Sequence, residues 1–201
     1  MRSGFTAMTT AVVCALSSVC HAQETEPKDW AAAIGIGWMG GGAGISSGEL
    51  GAVGGWMPTL SATLERRLDE RLWALVSARG HYMGARFGDT FDRNWALGGS
   101  VGLRHALTPP DPLEVSWYVV GDGGYARTSL ANLEVWSAGL RLGLALDKHF
   151  TDWFGMRVSL DLAQAGYQRA TSYDTSGAMV PAEAWFAKVT LAPSFALRFA
   201  F

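Results

Sequence analysis

The chain has 201 residues, 49% hydrophobic and only 17% charged, which is enough for one domain. Its 25 glycines are scattered in singles and short runs, which excludes a collagen-like period. A net charge of −2 argues against a nucleic-acid binder and against a polybasic membrane-surface protein.

Lysine occurs only at Lys28, Lys148 and Lys188. Soluble β-proteins keep their surfaces and edges charged, often with lysine. Its scarcity is a first sign that much of this surface does not face water.

Residues 1–22 read as a secretory signal peptide. Arg2 supplies a positive start, "AMTTAVVCALSSVC" a short apolar region, and "CHA" the small residues before a cleavage at Gln23. The apolar run is too short and interrupted to span a membrane. A lipid anchor at Cys20 is poorly served by Val19 just before it. Both cysteines, Cys14 and Cys20, leave with the signal, so the exported chain must be held by packing and backbone pairing rather than disulfides. Without Arg2, 15 Lys and Arg face 18 Asp and Glu, a net charge of −3.

A short polar lead, residues 23–29, comes next and is expected on the periplasmic side. From Trp30 a period of two recurs to the end of the chain. The segments are "WAAAIGIGW", "WMPTLSATL", "LWALVSARGHY", "WALGGSVGLR", "LEVSWYVVGDGGY", "WSAGLRLGLAL", "FGMRVSLDLA" and "WFAKVTLAPSFALRFAF". In each, bulky apolar residues alternate with small or charged ones. Most of the eight approach the roughly 9–11 residues that a tilted strand needs to cross a bilayer.

The connections alternate too. "ERRLDER", "HALTPPDP" and "DKHFTD" are short, whereas "GGGAGISSGELGAVGG", "GARFGDTFDRN", "RTSLANLE" and "QRATSYDTSGAMVPAE" are mostly longer. Short turns on one side and longer loops on the other predict a closed, antiparallel, eight-stranded transmembrane β-barrel over residues 30–201, an up-and-down meander. Both termini would then be periplasmic and the longer loops extracellular.

A soluble barrel of lipocalin type would turn the bulky face inward and leave an outer surface of Gly, Ala, Ser and Thr. The reverse arrangement, bulky face to lipid, is physically sounder. A one-residue slip would carry Arg141, Arg157, Asp161 and Lys188 onto lipid. Each Arg or Lys there costs about 2–4 kcal/mol near the midplane. The predicted lumen network is Arg79, Arg104, Glu114, Asp122, Arg141, Arg157, Asp161 and Lys188. Arg104 and Glu114 should meet across "HALTPPDP", while Arg141, Arg157 and Asp161 should cluster near mid-height. Positive charges exceed negative ones in this set, so internal water is needed to ease the balance.

Trp30 and Trp153 fall on the turn side, and Trp38, Trp56, Trp95, Trp136 and Trp185 on the loop side, as two interfacial girdles. Trp117 lies deeper than a girdle position. Trp73 has the wrong parity, for which the pattern offers no account. Pro193 lacks a ladder donor and predicts a bulge or a gap in pairing.

The last strand, "LAPSFALRFAF", puts Leu191, Phe195, Leu197, Phe199 and Phe201 on one face. Phe199 and the terminal Phe201 resemble the carboxyl-terminal signature of bacterial outer-membrane barrels, which implies recognition by the barrel assembly machinery. The exported chain as a whole resembles the small barrels of the OmpA transmembrane domain and OmpX type. That resemblance implies a Gram-negative outer membrane as location, after signal removal. It implies outer-membrane lipid and lipopolysaccharide as surroundings, and no nucleic-acid partner; a monomer is the expected state.

Catalytic signals are thin. The exported histidines are His81, His105 and His149. His105 and His149 fall in or near periplasmic turns. His81 has lumen parity near Asp89 and Asp92, and small barrels that acylate or deacylate lipid A use His with Ser or Asp near the outer rim. No amphipathic helix precedes Trp30, and no His-Ser pair clusters on one strand. "GIGWMGGGAG" lacks the lysine of a phosphate loop. No Cys/His cluster suggests a metal, and the acids of "FGDTFD" read as an exposed loop. No cofactor is expected. The expected role is non-catalytic, structural or surface-interacting through the loops; a lipid-modifying enzyme and a narrow small-solute pore remain as alternatives.

Overall fold

The computed structural model describes residues 28–39, 42–46, 49–53, 57–87, 90–109, 113–128, 133–173 and 178–201. The expected signal peptide and residues 23–27 of the lead lie outside this set. The strands are β1 (Trp30–Met39), β2 (Gly42–Ser46), β3 (Glu49–Val53), β4 (Met57–Arg67), β5 (Leu72–Phe87), β6 (Thr90–Ala106), β7 (Leu113–Thr128), β8 (Leu133–His149), β9 (Phe154–Tyr173) and β10 (Met179–Ala200). Eight of them form an antiparallel ring in the order β1, β4, β5, β6, β7, β8, β9, β10, closed by pairing of β10 with β1. The protein is an all-β, eight-stranded antiparallel barrel.

Closure runs from Ala31↔Ala200 to Gly37↔Ser194. At the seam, Trp30 N donates to Phe201 O at 3.1 Å and Phe201 N donates to Trp30 O at 2.8 Å. The turns nearest these ends are tight. Leu68 N donates to Leu72 O at 2.8 Å, Leu107 N to Val115 O at 2.7 Å, and Phe150 N to Phe154 O at 3.0 Å. Thr108 Oγ1 accepts from Val115 N at 2.8 Å, and Thr151 Oγ1 accepts from Phe154 N at 3.0 Å.

At the other end the strands run well past the expected boundaries. Pairing continues to Ser46↔Glu49, Phe87↔Thr90, Thr128↔Leu133 and Tyr173↔Met179. What composition suggests are loops are therefore extended hairpins. A ladder already in register offers each further backbone amide a partner, so Gly-rich and polar segments continue it at little cost. In the first connection, β2 pairs along β10 from Ser46↔Phe186 to Gly42↔Thr190, and β3 pairs with β2. The turn-side boundaries also move. β4 runs through Glu65 to Arg67, and β8 through Asp147 to His149, residues that read as turns in "ERRLDER" and "DKHFTD".

One irregularity resets the side-chain alternation. The β8–β9 register shifts between Leu142 and Gly143, and the β9–β10 register between Val189 and Ala192. Both shifts meet at Leu162 of β9. Below it Arg157, Ser159 and Asp161 face the lumen; above it Gln164 and Gln168 do, so the inward parity changes from odd to even. Pro193 is adjacent. It is in register with Leu160 of β9, but on its other side it falls between the segments of β10 that pair with β1 and with β2. The missing amide donor thus sits where the ladder is interrupted.

The bulky apolar face points outward. Leu60, Val76, Leu97, Val101, Leu140 and Val189 each expose more than half of their surface, whereas Glu65, Arg104, Ser116 and Asp147 are buried inside. This is the reverse of a soluble barrel, in which burial of apolar surface drives folding. Trp30, Trp136, Trp153 and Trp185 are all exposed on the outer face. Trp95 and Trp136 flank Tyr125 at 5.1 and 4.5 Å between ring centroids, and Trp185 meets Tyr167 edge-on at 5.3 Å. Trp117 also points outward and is half-buried against His105, 5.9 Å away. The side chains of Trp38 and Trp56 lie outside the described set.

Candidate functional site: the barrel lumen

The lumen is built by alternation: apart from the reset at Leu162, every second residue of each barrel strand projects into it. Its turn-side end is closed by six charged groups. Arg157 on β9 reaches Glu65 on β4 through two nitrogens, one contact being 3.1 Å, and Asp147 on β8 at 2.8 and 3.1 Å. Arg104 on β6 binds Glu114 on β7, and also Glu65 at 3.3 Å, Ser116 Oγ at 3.4 Å and Asp147 at 3.5 Å. Arg198 on β10 adds a third contact to Glu65 at 3.4 Å. Arg104, Arg157 and Arg198 therefore match Glu65, Glu114 and Asp147 charge for charge.

Glu65 is 0% exposed, and Arg104 and Asp147 are each 1% exposed. Buried charges on this scale persist only when paired and hydrogen-bonded. Planar guanidinium forks suit such multiple contacts better than ammonium groups. Trp73 completes the floor. It points inward, and the Arg198 and Arg104 guanidinium carbons lie 5.0 and 5.2 Å from its ring centroid. Its parity is that of a cation–π partner within the lumen.

Above the floor, Leu75, Tyr118, Val120 and Ala145 form a small buried apolar cluster. Along the strands it separates the floor from a second polar layer. There Arg79 pairs with Asp122 at 2.6 Å, and Gln164 Nε2 donates to the same carboxylate oxygen at 3.1 Å. Arg141 Nη1 donates to both oxygens of Asp161, at 3.0 and 2.9 Å, and the Tyr118 hydroxyl donates to Asp161 as well. The Lys188 ammonium stands 5.8 Å from the Phe186 ring centroid. A cavity of about 400 Å³ runs from Glu65, Arg104 and Arg157 up to Gln168 and Phe186.

All eight predicted lumen charges lie inside, and Arg104 meets Glu114 across its hairpin. Two expectations fail. Arg157 does not join Arg141 and Asp161; it belongs to the floor with Glu65 and Asp147, two layers below. The positive excess is also smaller than the eight residues imply, because Glu65 and Asp147, which read as turn residues in the sequence, lie in the lumen as well. The signal that finds them is plain alternation: Glu65 continues the face of Thr59, Ser61 and Thr63, and Asp147 that of Arg141, Gly143 and Ala145.

Gly143 shows how tightly the layers fit. A Cβ there would lie 2.2 Å from the Tyr118 hydroxyl and 2.6 Å from the Leu160 carbonyl. Gly143→Ala should therefore push Tyr118 off Asp161 and destabilise the barrel by about 1–3 kcal/mol, the usual cost of overpacking. The check is guanidinium unfolding of wild type and variant refolded into the same lipid vesicles.

Among the described residues the histidines make no constellation. His81 faces the lumen, and among the described residues its Nδ1 has no hydrogen-bond partner. Asp89 is outside the described set, as is the side chain of Asp92. His105 is on the outer face beside Trp117, and His149 is the last residue of β8 rather than part of a turn. Among the described residues no group of three His, Cys, Asp or Glu is placed to hold a metal.

No family model and no curated protein sequence matches the chain. Solved structures do. The outer membrane protein OprG from Pseudomonas aeruginosa superposes with a TM-score of 0.60 at 9% identity, covering 88% of this chain and 97% of that one. A major outer membrane protein from Thermus thermophilus gives 0.50 at 11% identity, covering 85% and 99%. The chain has the fold of the small eight-stranded outer-membrane β-barrels.

Proposed function

We propose that the protein is a non-catalytic barrel resident in the outer membrane, exported by a cleaved signal peptide. It anchors and displays its extended hairpins at the cell surface. The floor carries this reading: six buried charges and Trp73 fill the turn-side end of the described lumen. Outward Leu, Val and Trp side chains suit lipid and lipopolysaccharide as surroundings. Phe199 packs against Trp153 and Phe154 on the outer face, at 6.4 and 5.5 Å between ring centroids. With Phe201 it would serve as the assembly signature. A monomer is the working state that this reading takes.

Two measurements test this together. The outer-membrane fraction, run on a gel boiled and unboiled, should give two mobilities, because a closed barrel resists detergent until heated. The purified barrel in planar bilayers should give no unitary conductance. Discrete current steps would replace this reading with the pore alternative, and a heat-insensitive protein recovered only from the periplasm would remove the membrane assignment.

A further inference from the structure

The two polar layers of the lumen differ in charge. The floor is neutral, three guanidiniums against three carboxylates. Among the described residues the upper layer has three cations, Arg79, Arg141 and Lys188, against two carboxylates, Asp122 and Asp161. Arg79 and Arg141 each hold one of those carboxylates at 2.6–3.0 Å. Lys188 has no ion pair among the described residues; its ammonium stands over the face of Phe186.

The surroundings of that charge are mixed. Lys188 lines the 400 Å³ cavity together with Ser137, Gln164 and Gln168, which donate and accept hydrogen bonds, and with Val135 and Phe186, which do neither. One unmatched positive charge selects a monoanion. Neutral amides and a hydroxyl can complete the hydrogen bonds of a carboxylate. The apolar flank favours a short hydrocarbon over a bare inorganic ion. The whole cavity, of which the upper lumen is the hairpin-side part, has a volume in the range of small-molecule sites. A simple cation would face a net positive layer.

We infer that the upper lumen is a binding site for a small organic carboxylate, held by Lys188 above the charged floor. The site needs no passage through the barrel and is compatible with an anchoring role. It predicts a pocket entered and left from the hairpin side.

The test uses the full exported chain, isotope-labelled and refolded in detergent micelles. Butanoate and its neutral isostere butanamide are titrated separately while the backbone amide signals of Lys188 and Gln164 are followed by NMR. Butanoate should shift both saturably, and butanamide should not. Lys188→Gln should weaken butanoate at least tenfold, while Lys188→Arg, which keeps the charge, should hold it within a few-fold. Heat-dependent gel mobility of each variant confirms that the barrel has formed. Equal shifts with butanamide, no saturable shift with butanoate, or a Lys188→Gln variant that titrates like wild type would each overturn the inference.

Discussion

Glu65→Ala is expected to be among the most destabilising single substitutions in this barrel, by about 3–5 kcal/mol. Glu65 is fully buried and is shared by Arg104, Arg157 and Arg198. Its removal leaves three guanidiniums facing Glu114 and Asp147 in a space that cannot supply bulk water. The loss is not that of one ion pair; it is an uncompensated charge held away from solvent. Glu65→Gln keeps the shape and removes the charge, so it should cost nearly as much. Pairing it with Arg198→Met removes one cation as well and should restore part of the loss, because residues in one network couple rather than add. Guanidinium unfolding in lipid vesicles, followed by tryptophan fluorescence, reads all three variants. A loss below about 1 kcal/mol for Glu65→Ala would mean that the floor is hydrated and open, and the anchoring proposal would lose its main support.

The second large effect is on the opposite face. Val101→Arg is expected to destabilise the barrel by about 2–4 kcal/mol in bilayers. Val101 is 63% exposed and pairs with Val76 and Gly121 in an undisturbed part of the ladder. It lies halfway along β6 and the following turn between Trp95 and Leu107. That stretch rises about 40 Å along the strand, or about 28 Å across a sheet tilted by roughly 45°. The site is therefore near the middle of the apolar band, where snorkelling is hardest. On a water-facing surface the same change would fall within about 0.5 kcal/mol of wild type. The comparison thus reads the solvent of the outer face directly. An unchanged unfolding midpoint in vesicles would place Val101 out of contact with hydrocarbon.

Much of the architecture is legible in the alternation because one face is bulky and apolar and the other small or charged. Arg79, Arg104, Glu114 and Asp122 can be assigned to the lumen from parity alone. Parity stops being informative where the backbone departs from it. The extra residue at Leu162 moves Gln164 and Gln168 inward, and no local composition marks it. Turn-like strings such as "ERRLDER" conceal Glu65, since charged residues at a strand end look solvated until the opposite wall supplies their partners. Trp73 is the same case in reverse. A lone tryptophan on the polar face makes no sense by hydropathy, and becomes intelligible only once Arg104 and Arg198 arrive from β6 and β10. The hairpin extensions are hidden for a different reason: glycine-rich segments carry no strand propensity of their own and are held by the register of the strands below.

The seam has a consequence for how the ring assembles. Within the ring, every neighbouring pair except β10–β1 joins strands consecutive in the chain or, for β1 and β4, linked through the β2–β3 hairpin. Those contacts are local and can form in any order at small entropic cost. The β10–β1 contact unites the two ends of the folded segment, and its loop can close only after everything between has been ordered. Trp30 and Phe201, which exchange both of their backbone hydrogen bonds, are thus the far ends of the longest-range contact among the described residues. Weakening that pair should leave a sheet that is nearly complete but cannot become a ring. Lesions at the seam would then slow closure, whereas those in the floor would hasten opening.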